Sequence, residues 1–291
     1  MKKVIVALTV AFLASMCASP RDFQAEFDVC LEDNDTLKQR EVLLDWEKAK
    51  PKDPELFVGY FNYYFNKSID EAIAVNYGED EGISFEGEEA YNPKWVQAAL
   101  DKISRGIALC PDRLDMRFGK IHALGMVEDW EAYTEEIVNA IKQSAKNNCQ
   151  WLWENNEGLA EDSEDMFLSS MQDYQVHLYN QGEVDLLPNM RTIANEILKI
   201  YPDHVESLSN ISATYLIVSE MDKALEILVK AHAINPYDIG VLRNMLYAYN
   251  EKDDHVKSIE CLEKIIEYTD DEDLKESAEK TLQYHQERLA K

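Results

Sequence analysis

Thirty-four residues separate two similar stretches of this chain: Ile200-Tyr201-Pro202-Asp203 returns as Ile234-Asn235-Pro236-Tyr237. A fixed period of this length signals stacked supersecondary units rather than one closed core. Between the two stretches run Leu208-x2-Ile211-Ser212-x2-Tyr215 and then Ala224-x3-Leu228-x2-Ala231. Met221, Ala224, Leu225, Leu228, Ala231 and Ile234 fall at helical spacing and form one apolar stripe. Small residues such as Ser212, Ala224 and Ala231 let two antiparallel helices approach closely. Pro236 cannot continue a helix, and it turns the chain into the next unit. One such hairpin cannot bury its stripe alone, so neighbouring units must stack.

The next period repeats the pattern with erosion. Leu242-x2-Met245-Leu246-x2-Tyr249 predicts a first helix and Ser258-x3-Leu262-x2-Ile265 a second, with Asp270 where proline is wanted. These residues resemble the tetratricopeptide repeat, with its large, small and aromatic positions ending in proline. The resemblance is strongest over 205–236 and 239–270. It extends to a second helix through Trp95, Ala99, Ile103, Gly106 and Pro111, and to a hairpin through Phe118, Trp130, Tyr133, Ile137 and Ala140. Helices are also expected over Thr36–Ala49, Leu56–Phe65 and Asn189–Ile200, and a polar capping helix over 272–290. The expected fold is all-α: an α-solenoid of helical hairpins over 35–291, its right-handed superhelix implied by the resemblance. No stretch reads as a sheet. Residues 19–34 read as a polar segment. Residues 67–92 are an insertion between a first helix and its second, in which Ile69, Ala72, Ile73 and Val75 read as a helix extension.

Ahead of all this, Lys2 and Lys3 precede Val4 to Met16, a run without charge that is too short to span a bilayer and fits a secretory leader over 1–18. An exported protein of the bacterial periplasm or cell envelope is expected. Cys17 follows the apolar run as in lipoproteins, which makes it a lipidation candidate, although Met16 stands where that pattern wants a small residue. Cleavage after Cys17 or Ala18 would instead leave a soluble protein, and both readings stand.

Composition removes whole classes of function. The 291 residues carry 29 Lys+Arg against 56 Asp+Glu, a formal net charge of -27, and no basic run that could follow a phosphate backbone. No nucleic-acid partner is expected, and a membrane is expected only through a lipid anchor. No Gly-rich phosphate loop, H-E-x-x-H or G-x-S-x-G motif occurs. Six histidines lie singly, and paired carboxylates are too abundant to inform. Glu79 to Glu88 loosely follows a calcium loop, but Tyr77 stands where its first oxygen ligand belongs. The chain therefore reads as non-enzymatic, with no cofactor and no metal. The cysteines form no C-x2-C pair.

Binding is what remains. The resemblance implies a protein or peptide partner held along a concave face lined by the first helices. On that face Asn210, Arg243, Asn244, Tyr247 and Asn250 are the candidate contacts. Asn210 and Asn244 occupy matching places, as in repeats that clamp a peptide carboxylate, but Glu206 and Ser209 stand where further cations are wanted. The asparagines read first as helix-packing residues. Two aromatic groups also compete: Trp151 with Trp153, and the crowd Phe57, Tyr60, Phe61, Tyr63, Tyr64 and Phe65, of which most are expected to pack in the core and some to face outward. Trp151 and Trp153, expected to be exposed, are the support for an alternative in which the protein is a glycan-binding accessory of the envelope; an enzyme is the weakest alternative.

Overall fold

A computed structural model describes residues 21–78, 82–159 and 163–290, and for 70–78 and 82–89 it describes the backbone alone. The expected leader over 1–18 and Cys17 lie outside the described residues. Among the described residues, thirteen α-helices follow in chain order: α1 (Phe23–Glu32), α2 (Thr36–Ala49), α3 (Pro54–Ser68), α4 (Pro93–Leu109), α5 (Leu114–Met126), α6 (Trp130–Asn147), α7 (Ser163–Asn180), α8 (Leu187–Ile200), α9 (Val205–Ile217), α10 (Met221–Ile234), α11 (Ile239–Glu251), α12 (His255–Tyr268) and α13 (Glu272–Leu289). They pair as hairpins, and alternate helices such as α1 and α3, α7 and α9, or α9 and α11 lie side by side. The buried side chains fall into five clusters along the chain instead of one centre. This is an all-α solenoid.

The repeat is visible in the backbone. The boundaries of α9 and α10 recur, each shifted by thirty-four residues, in α11 and α12. Four helices stop at a residue followed by proline. Lys50, Cys110, Tyr201 and Asn235 all leave the helix with φ between -121 and -140, and each still donates its N–H to the carbonyl four residues back. The following proline clashes with a helical conformation at the residue before it, so all four stops share one cause. Within hairpins the turn is made by a single left-handed residue two places before the second helix: Asn34, Glu128, Ser219 and Asp253, all with φ near 55.

Part of the acidity has a structural place at the helix starts. Asp22, Asp35, Asp53, Asp129, Asp238, Asp254 and Asp271 each cap a helix by accepting a backbone N–H. There the carboxylate satisfies a donor that has no helical partner and meets the positive end of the helix dipole.

Three expectations need correction. Residues 19–34 are more than a polar segment: Asp22 caps α1, and Phe23 and Phe27 bury against Val42, Leu43 and Trp46 of α2. The insertion is not helical. It forms a two-stranded antiparallel sheet, β1 (Ile69–Gly78) and β2 (Gly82–Tyr91), running in register from Ile69↔Tyr91 to Gly78↔Gly82. Finally, the aromatic crowd on α3, expected to be core for the most part, is turned inward further than that: all but Tyr64 are buried, and Tyr64 is half-buried. They can be, because α3 is packed on two sides. Leu56, Tyr60 and Tyr63 meet α1 and α2, whereas Phe61 and Phe65 meet α4 and α5. Close approach on that second side needs Gly106, where a Cβ would lie 3.0 Å from both Met116 Sδ and Phe57 Cβ.

Candidate functional site

The first helices of successive hairpins, α7, α9 and α11, present one shared face. Its inner rows are consumed by packing. Asn210 exchanges two side-chain hydrogen bonds with Gln172 across α7 and α9, at 2.6 and 3.2 Å. Asn244 donates to Ser209 Oγ at 3.2 Å across α9 and α11, and Asn250 Oδ1 accepts from Ser258 Oγ at 2.7 Å across α11 and α12. These amides link helices, as buried polar groups must find partners. The structure thus ties three of the sequence-nominated residues into the stack.

Arg243 and Tyr247 have another position. Together with Tyr179, Ala213, Leu216, Ile217, Gly240 and Asn244 they line a groove of about 560 Å³. An adjoining hollow of about 340 Å³ shares Tyr179 and Ile217 and adds Val184 and Leu187. Tyr179, Val184, Ile217 and Tyr247 are between 43% and 57% exposed, which makes a run of large apolar side chains open to solvent. Such contiguous exposure on a soluble surface marks a contact site more often than scattered apolar residues do. Arg243 is exposed beside them and makes no ion pair or hydrogen bond among the described residues. It sits in the first turns of α11, whose N-terminal N–H of Val241 is already capped by Asp238. Tyr179, Val184 and Ile217 were not found from the sequence. Their signal was present, since each is an apolar residue at the end of a helix or in a turn, off the apolar stripe.

The other half of the solenoid is closed by a loop. Leu152 bridges in parallel to Arg113 and back to Gly158, so the stretch 151–158 lies against the start of α5. Arg113, fully buried, holds it there. The guanidinium grips Glu55 with both outer nitrogens and Asp115 with Nε and Nη2, while Asn155 N–H donates to the same Glu55 at 2.8 Å. Burial works against the charge on Arg113, but the two carboxylates outweigh it and keep the group firmly protonated. A second buried cluster, Arg117 with Glu136 and Lys120, joins α5 to α6.

This loop corrects the tryptophan reading. Trp151 is 1% exposed and stacks on Phe167 with ring centroids 5.3 Å apart, so it is core and unavailable to a partner. Trp153 alone faces out, edge-on to Phe118. It borders a smaller pocket of about 210 Å³ that also meets Asp28, Asn62 and Glu154. Partial burial and Glu154 push the Asp28 carboxyl upward from the ordinary carboxylate range. The four described cysteines are free thiols, and burial pushes Cys261 up to about 11, so it is no nucleophile at neutral pH.

The fold and groove define a class, an all-α helical-repeat protein with an open face along its first helices. No protein-family model matches the chain, and no curated protein does. Among solved structures it is similar to YrrB, described as a TPR protein with an unusual peptide-binding site, at 14% identity over 82% of this chain and 97% of that one, with a TM-score of 0.42. It is also similar to a thermophilic TPR protein of Thermus thermophilus, at 16% identity over 65% of this chain and 92% of that one, with a TM-score of 0.38.

Proposed function

We propose that this is an exported, non-catalytic scaffold of the bacterial envelope that holds a segment of a protein partner in the groove of α7, α9 and α11. The observation that carries the reading is the combination of exposed Tyr179, Ile217 and Tyr247 with an Arg243 that has no ion pair among the described residues. Apolar rings supply contact area at low entropic cost, and the guanidinium supplies a partner for a carboxylate or main-chain carbonyl. The resemblance to tetratricopeptide repeats supports the same face. Export rests on the basic start and the uncharged run Val4 to Met16.

A photo-crosslinking residue placed at Tyr247, used in the producing cells, tests it. Discrete protein adducts are expected, and Arg243→Glu should reduce them about tenfold or more, the loss of one charge-assisted contact. An absence of protein adducts would overturn the scaffold reading. Binding on a glycan array that vanishes with Trp153→Ala would replace it with the carbohydrate one.

A further inference from the structure

The β1–β2 hairpin lies outside the groove, and its register sorts its residues sharply. Successive positions alternate between faces along a strand, and directly paired residues share a face. Over the outer part of the hairpin one face therefore holds Ile73, Val75, Tyr77, Ile83 and Phe85, with Gly87 paired to Ile73. Nearer the helices the same face passes through the pair Glu71 and Glu89 to Ile69 and Tyr91. The opposite face holds Asp70, Glu86 and Glu88 among alanines and small polar residues. Among the described residues the sheet has two strands, so each strand has one edge without a ladder. An isolated two-stranded hairpin is marginal in water, and an open edge is a template for a further strand.

A second copy of the chain is a poor occupant. Ten residues span roughly 33 Å and two strands roughly 10 Å, so apposed faces would bury about 660 Å² in total, against the ~1,200 Å² of a stable interface. Adding a second copy edge to edge would align acidic faces in a chain of net charge -27. The acids instead select the opposite sign, and they concentrate on β2, where Glu86 and Glu88 alternate with Phe85 and Gly87. Gly87, paired with Ile73, brings no side chain to the apolar face.

We infer that the free edge of β2 receives an extended segment of a protein partner in which apolar and basic residues alternate, adding as a third strand. Its apolar residues continue the face of Ile83 and Phe85, and its basic residues continue the face of Glu86 and Glu88. Main-chain hydrogen bonds would give affinity and the alternation would give selectivity.

The test uses the full chain and labelled peptides of about ten residues, the length of β2. One alternates Val and Lys, one alternates Val and Glu, and one has the Val and Lys in separate blocks. The alternating Val/Lys peptide is expected to bind. The double substitution Glu86→Lys with Glu88→Lys should weaken it about tenfold, as two cross-strand charge pairs change sign, and should make the Val/Glu peptide the better ligand. Glu86→Gln with Glu88→Gln should fall between. The Tyr247→Ala variant should bind like the parent chain, which separates this surface from the groove. Equal binding of the blocked peptide, or no response to either double substitution, would overturn the proposal as general attraction to an acidic protein. A dimer that the charge reversal dissolves would overturn it in favour of a second copy.

Discussion

Ser219 turns α9 into α10 from the left-handed region, at φ 58, and it is exposed. A residue with a Cβ pays roughly 1 kcal/mol to sit there, while glycine does not. Ser219→Gly is therefore expected to stabilise the chain by about 0.5 kcal/mol, the strain relief being partly offset by glycine's extra freedom when unfolded. Ser219→Val should destabilise it by about 1 kcal/mol or more, since branching at Cβ worsens the same clash. Urea denaturation followed by circular dichroism measures both, and movement in the same direction would contradict the argument. The same position in the next hairpin is Asp253, and in an earlier hairpin it is Glu128. Three different residue types occupy one conformation, so the joint is set by the helices it connects more than by its own preference. That is why the turns were legible only as gaps between apolar stripes. Asn210 and Trp151 teach the same lesson. Their types suit binding, but which of their atoms remain free depends on neighbours far away in sequence, Gln172 for one and Phe167 for the other.

At the scale of elements, the capping helix α13 is held through histidines. His285 is 4% exposed and its Nδ1 lies 2.9 Å from Nδ1 of His255 on α12, so one ring must donate and the other accept. Burial, and then the neighbouring His255, push His285 below its ordinary value of 6.5. The unfolded chain thus takes up a proton at a pH where the folded chain does not. Stability from this contact is complete above about pH 6.5 and is lost as pH falls below it, at no more than about 1.4 kcal/mol per pH unit for each histidine involved. His232 on α10 is shifted in the same direction by burial and then Lys264. Thermal unfolding scans from about pH 7 to about pH 5 should show a falling midpoint, and His285→Gln should flatten the fall; an unchanged slope would remove the histidine pair as its cause. Helices such as α10 and α12 were readable from sequence because their apolar residues repeat at 3.6. The hairpin at 69–91 was missed because Ile69, Ala72, Ile73 and Val75 also satisfy helical spacing. The alternation Ile73, Val75, Tyr77 and its mirror Ile83, Phe85 about a pair of glycines was the competing signal. The α1 helix was missed although Phe23, Phe27, Cys30 and Leu31 stand at helical spacing, because the charges of Arg21, Asp22, Glu26, Asp28 and Glu32 around them read as a polar segment.

For the whole molecule, the repeat organisation was legible, and the groove only in part, through Arg243, Asn244 and Tyr247. A solenoid is announced by its period, whereas the groove depends on which side chains the stack leaves uncovered, and that follows from three hairpins acting together. The leader also belongs to this scale. Intact-mass measurement of the protein recovered from its native envelope is expected to show loss of at least residues 1–16, with a diacylglyceryl group on Cys17 or a plain new N-terminus beyond it. A full-length chain would refute export.

Stacking by nearest neighbours has a mechanical consequence. A compact core transmits a push in all directions, but here each hairpin leans chiefly on the hairpins before and after it. Small rotations at successive joints add along the axis, so the molecule acts as a spring whose curvature, and with it the span between Tyr179 and Tyr247, changes when its ends are pulled. A partner that tethers both ends would tune the groove by tension, without touching it.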